Sequence, residues 1–291
     1  MKPSESVFVT VRGLRYHCRC WGKARAPLLF MLHGWMDVSA SFQFLVDALD
    51  RDWRVIAPDW RGYGLTAWAN SDSYWFPDYF GDLDALLKHF QPDSPATLLG
   101  HSMGGNIALM YAGIRPQRVA RVVDLEGFGM AGTRPELAPK RYARWLEELA
   151  AEPPAFRDYD SFEALAGRLC HNNPRLAQDQ ALFLAHHWGR AKMDGRVALA
   201  SDPAHKLVNP ILYRLEETEA CWRNVAAPVL WVTGAETKAL EHLKLSAADL
   251  AARKACLRNL TEHVIADAGH MLHHDQPERL AEVIEAFLQQ S

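Results

Sequence analysis

The chain has 291 residues, 49% of them hydrophobic and 23% charged. That is enough apolar material for one large packed domain, or a domain carrying an insertion, and it argues against a disordered chain. A formal net charge of −3 gives no general attraction to nucleic acid or to an anionic membrane, so small neutral or mildly polar ligands are the expected partners.

The first residues mix polar and apolar side chains without a continuous apolar stretch, and no later apolar run approaches the length of a membrane span. The five cysteines, Cys18, Cys20, Cys170, Cys221 and Cys256, are scattered and odd in number. They are expected to be free thiols in a reducing compartment, and the expected location is cytoplasmic. Cys18 and Cys20 form a C-x-C pair with no second pair nearby, so they read as strand residues and no metal is expected.

Residues 7–11 and 14–21 alternate around Arg12-Gly13 and predict a β-hairpin. Residues 27–32 form a continuous apolar run too short for a helix, as suits a strand buried on both faces. Helical spacing follows at 41–49, a strand at 53–57, a helix at 75–90, a strand at 96–99, a helix at 103–114 and a strand at 119–126. Such alternation implies crossover connections and a mostly parallel sheet flanked by helices.

The alternation stops after Glu126. Residues 130–223 are helix-prone, broken by Pro135, Pro153-Pro154, Pro174, Pro203 and Pro210, and they carry Tyr142, Trp145, Phe156, Phe162, Phe183, Trp188 and Tyr213. Strands resume at 228–233 and 263–266, and a helix closes the chain at 277–289. The economical division is an α/β core of residues 1–129 and 224–291, interrupted by a helical insertion over 130–223.

Gly100-His101-Ser102-Met103-Gly104 fits G-x-S-x-G between a predicted strand and a predicted helix. A turn this tight forces its central residue into strained backbone and tolerates only tiny neighbours. The serine hydroxyl is left exposed above the sheet, beside the amides and positive dipole end of a helix N-terminus.

With these residues the chain resembles the α/β-hydrolase superfamily over nearly its whole length. His33-Gly34-Trp35 follows the third strand, Asp59-Trp60-Arg61-Gly62-Tyr63-Gly64 the fourth, and Ala268-Gly269-His270 precedes Gln276-Pro277-Glu278 and the last helix. The resemblance implies that fold, with a mostly parallel eight-stranded sheet and a helical cap formed by the insertion. It further implies Ser102 as nucleophile, His270 as its general base, and the backbone N–H groups of Trp35 and Met103 as the oxyanion hole, each such donor contributing about 3 kcal/mol. In relatives the Asp59–Arg61 turn is mainly structural. His186-His187 and His273-His274 are expected on helix or loop surfaces, and no H-E-x-x-H is present.

The acid departs from the family pattern. Where the family usually has aspartate, three residues beyond the glycine ending the seventh strand, Gly234 leads to Thr237, with Glu236 one place earlier. Some relatives, haloalkane dehalogenases among them, carry the acid at the end of the sixth strand, which here places Glu126. Glu126 is favoured over Glu236. Asp124 is a third choice, and Asp267 reads as a loop residue.

A serine, histidine and carboxylate imply acyl transfer through a covalent intermediate, without cofactor or metal. Serine at position 102 argues against dehalogenase or epoxide-hydrolase chemistry, which relatives perform with a carboxylate nucleophile. The expected substrate is a small or medium apolar acyl or aryl ester, lodged in a cavity that aromatics of the cap could line. Carbon–carbon bond cleavage, perhydrolysis and a disabled, hydrolase-like binding protein remain as alternatives.

Overall fold

The structure, a computed structural model, describes residues 1–290. Ten strands run in chain order: β1 (Ser4–Val11), β2 (Leu14–Trp21), β3 (Leu28–Leu32), β4 (Arg54–Pro58), β5 (Ala96–His101), β6 (Val119–Leu125), β7 (Gly189–Ala191), β8 (Val197–Leu199), β9 (Val229–Gly234) and β10 (Leu260–Ile265). Eight of them form one sheet in the order β1-β2-β4-β3-β5-β6-β9-β10. The β1–β2 and β2–β4 pairings are antiparallel and the rest parallel. The predicted hairpin turns through Arg12 and Gly13, both at positive φ (46° and 83°), as a two-residue type I′ turn requires.

Among the described residues there are eleven α-helices: α1 (Gln43–Ala48), α2 (Phe76–Phe90), α3 (Met103–Ile114), α4 (Ala138–Ala150), α5 (Phe162–Asn172), α6 (Gln178–Trp188), α7 (Leu215–Arg223), α8 (Ala239–His242), α9 (Ala247–Lys254), α10 (Leu272–Asp275) and α11 (Pro277–Leu288). The continuous apolar strands divide their side chains between two cores. Phe30 and Leu32 of β3 join Leu83, Leu87 and Ile107 of α2 and α3 on one face, while Leu29 and Met31 join Leu45, Leu280 and Ile284 of α1 and α11 on the other. This two-sided burial explains why these strands read as unbroken hydrophobic runs. Among the described residues no helix is long and apolar enough to cross a membrane. All five cysteines are free thiols, with Cys18 and Cys20 buried on β2.

Two features of the insertion differ from the sequence reading. It contains a small antiparallel hairpin, β7–β8, whose strands of 3 residues each are too short to show a period. Its last helix, α7, belongs to the core. Trp222 is fully buried there and packs edge-on against Trp231 of β9, with ring centroids 6.2 Å apart, so the boundary moves back from 223 to the start of α7. The rest of the insertion has its own cluster, including Leu165, Leu169, Ala181 and Leu184, anchored on Phe44 of α1 through an edge-on contact with Phe183.

Candidate active site

At the end of β5 the chain reverses into α3 within one residue, Ser102, whose φ of 52° and ψ of −113° lie where side chains are rarely tolerated. Such backbone costs roughly 1–3 kcal/mol and persists only where its surroundings dictate it. Here they do. A Cβ at Gly100 would stand 2.3 Å from the Gly104 carbonyl carbon, and one at Gly104 would stand 2.0 Å from the Leu32 carbonyl oxygen. We expect Gly104→Ala to push α3 off β3 and destabilise the fold by about 3 kcal/mol or more in urea unfolding. A loss under about 1 kcal/mol would contradict this account of the turn.

Ser102, Trp35, Met103, Glu126, Glu236 and His270, the six site residues named from sequence, all line one cavity of about 1000 Å³. Its geometry separates the two acid candidates. Glu126 is buried just past β6, itself at positive φ (60°), and its Oε2 accepts a hydrogen bond from His270 Nδ1 at 3.0 Å. The same oxygen accepts from the Thr237 hydroxyl at 2.5 Å, and Oε1 accepts from the Gly234 N–H at 2.8 Å. Nδ1 therefore carries the imidazole proton when the ring is neutral, leaving Nε2 as the basic nitrogen. Glu236 instead pairs with Arg175.

Thr237 was missed from sequence as a contributor. It stands where the family resemblance led one to expect aspartate, and its hydroxyl donates to the carboxylate that approaches from the end of β6. The signal was present in the combination of a non-acidic residue there with an acid at the end of β6.

The other acids have different surroundings. Asp124 is fully buried, its carboxyl beside the Gly105 and Gly127 backbone, and burial followed by the nearby Glu126 pushes its pKa well above the carboxylate range. Asp267 lies in the loop after β10, 3.7 Å from Arg279. Asp59 accepts from the Ser39 and Leu65 N–H groups and from His17 Nδ1, and Arg61 makes two 2.6 Å bonds to Asp82. That turn ties loops together.

The loop after β3 is fixed from behind. His33 Nδ1 donates to the Gly34 carbonyl at 2.8 Å, and its Nε2 accepts from the Trp60 N–H at 2.9 Å. The Met103 amide belongs to the first turn of α3, where N–H groups lack intrahelical acceptors. Trp35 is 58% exposed, so its side chain is a rim of the cavity and not part of the core.

His273 and His274 correct a sequence expectation. Both are buried on α10, where His274 Nε2 meets the Ser41 hydroxyl at 2.7 Å and His273 packs against Phe42 and His101. His101, next to Ser102, donates from Nε2 to the His270 carbonyl at 2.8 Å, linking elbow and histidine loop.

Burial lowers the pKa of His33, His187 and His274 to about 4, of His205 to about 3, and of His101 and His273 well below the usual value. The unfolded chain binds these six protons below about pH 6.5 and the native chain does not, so acidification favours unfolding. Asp37, raised by burial to about 7, and Asp124 act in the opposite sense, because the native state holds their protons longer. Six imidazoles outweigh two carboxyls, and we expect a lower urea midpoint at pH 4.5 than at pH 7.5. An equal or higher midpoint at pH 4.5 would refute it.

The cavity wall also differs from expectation. Its aromatic lining comes from the core, through Tyr74, Trp75, Phe76, Tyr79 and Phe128, together with Trp35. The seven insertion aromatics noted from sequence are absent from that lining. Phe162, Phe183 and Trp188 pack inside the insertion, Tyr213 is buried in the core, and Tyr142 is exposed. The insertion contributes aliphatic side chains such as Leu207 and Val208 together with polar groups, including Arg141, Asn172, Asn173 and Arg175.

A sheet of this order, with a serine on a strand-to-helix elbow and a histidine loop after the last strand, defines a class, and the chain belongs to it: residues 27–277 match the alpha/beta hydrolase fold family. Among curated relatives, a serine hydrolase-like protein of Danio rerio is 28% identical over 92% of this chain and 83% of its own length. A 2-(acetamidomethylene)succinate hydrolase of Mesorhizobium japonicum is 28% identical over 91% of this chain and 89% of its own. The solved structure of a hypothetical protein from Pseudomonas aeruginosa PAO1 superposes with a TM-score of 0.86 at 23% identity, covering 98% of this chain and 100% of that one.

Proposed function

We propose that the chain is a serine hydrolase that cleaves a small or medium carboxylic ester, with an apolar acyl or aryl body, through an acyl-enzyme. Ser102 attacks the carbonyl while His270 Nε2 takes its proton. The Glu126 carboxylate stabilises the imidazolium, and the Trp35 and Met103 N–H groups receive the oxyanion. His270 then protonates the leaving alcohol, and a water activated by the same nitrogen frees the acid. The insertion acts as a cap over this cavity.

The observation that carries the reading is the buried Glu126 carboxylate bonded to His270 Nδ1, in a cavity that Ser102 also lines. A carboxylate orienting a histidine in the same cavity as a strained serine is in keeping with such chemistry, as is kinship with proteins named as hydrolases. The test is labelling by a fluorophosphonate probe. Wild type should label at one serine, and Ser102→Ala should not. A well-folded wild-type chain that resists labelling would overturn the proposal.

A further inference from the structure

The three carboxylates and three cations lining the cavity are unequally partnered. Each of its three carboxylates has partners: Glu126 accepts from His270, Thr237 and Gly234, Glu236 pairs with Arg175, and Asp275 accepts from the Gly269 N–H at 2.8 Å and Asn173 Nδ2 at 2.7 Å. Two cations in the same lining, Arg141 of α4 and Lys238 at the start of α8, make no ion pair or side-chain hydrogen bond with any described residue. Arg141 is only partly exposed, and its Nε is out of reach of water and has no acceptor. A buried donor left without a partner is costly, and a guanidinium edge matches a carboxylate through two parallel bonds.

From these two unpartnered cations we propose that the substrate carries a carboxylate of its own, held by Arg141 with Lys238 adding positive charge, while the apolar body of the acyl chain lies along the aromatic wall. The inference rests on the hydrolase reading above and narrows its substrate class to anionic esters. It also gives a reason for the polar groups that the insertion places in the lining. The core supplies apolar surface for the acyl body, and the insertion supplies the group that recognises its charged end.

The probes are two 4-nitrophenyl esters of equal acyl length: the glutarate monoester, with a free terminal carboxylate, and the same ester with that carboxylate methylated. Wild type should prefer the free acid in kcat/KM by about tenfold or more, a ratio that falls at least fivefold in Arg141→Met, falls less in Lys238→Met, and is partly kept in Arg141→Lys. Binding of the uncleaved glutarate ester to Ser102→Ala, measured by calorimetry, should weaken similarly when Arg141→Met is added, a readout independent of turnover. Equal use of both esters, or a ratio indifferent to Arg141→Met, overturns the anionic-substrate inference and leaves the hydrolase reading standing. If neither ester is cleaved, the Ser102→Ala calorimetry decides: no binding that depends on the carboxylate and Arg141 overturns the inference. Absence of fluorophosphonate labelling is the separate failure that removes the hydrolase reading itself.

Discussion

Ser102→Ala is expected to lower kcat on an activated ester by about 10⁴-fold or more, with KM changed little. The whole covalent route passes through that one hydroxyl, so its removal leaves only water attacking a carbonyl held by the oxyanion donors. The fold should tolerate the change well. Alanine is smaller than serine, and the strained backbone at φ 52° is enforced by neighbouring glycines and the Leu32 carbonyl, which the substitution does not touch. A variant retaining more than about a tenth of wild-type kcat would show that another group attacks the ester.

The second large effect is expected at Glu126. Glu126→Gln keeps the size and removes the charge, so the imidazolium formed during attack loses its counter-ion. The amide can also present its NH₂ to Nδ1, favouring the tautomer with Nε2 protonated and unable to act as a base. By analogy with carboxylate-to-amide changes in other serine hydrolases, kcat should fall by about 10³- to 10⁴-fold. Glu236→Gln breaks only the exposed pair with Arg175 and should cost less than about tenfold. Steady-state kinetics of both variants on one ester decides the assignment, and a collapse confined to Glu236→Gln would reverse it. Thr237→Val removes one of the three donors on Glu126 and should lie between these extremes.

Much of this was readable from residues alone, for identifiable reasons. Strands buried on both faces leave unbroken apolar runs, so β3 and the start of β9 announced themselves, while β5 and β6 were legible from their alternation with helices. The elbow was legible because its sterics admit only glycine at positions 100 and 104. The His270 loop was marked by its place between the last strand and the last helix.

What stayed hidden depended on packing that local pattern does not encode. His273 and His274 looked like surface residues because nothing nearby in sequence reveals that α10 tucks against Ser41 and Phe42. The insertion aromatics suggested an apolar cap wall, but Phe162, Phe183 and Trp188 pack within the insertion, with Phe183 joining it to α1. The ambiguity between Glu126 and Glu236 was of the same kind. Both carboxylates reach one cavity, and only the tertiary arrangement shows which of them meets the imidazole.

The location of Glu126 has a mechanical consequence. His101 and Leu125 are register partners on adjacent strands, so Ser102 and Glu126 are the next residues along two hydrogen-bonded neighbours. The Ser102 N–H donates to the Leu125 carbonyl at 2.7 Å, and the Glu126 N–H donates to Val232 at 3.0 Å. The spacing between the two main chains is thus the interstrand repeat of the sheet itself, about 4.8 Å, which is among the stiffest lengths in a protein. An acid carried on the segment after Gly234 would inherit whatever sway that connection has. Here the carboxylate's main chain is footed on the sheet, and the segment from Ala235 to Asn259 adds to it the Thr237 hydroxyl.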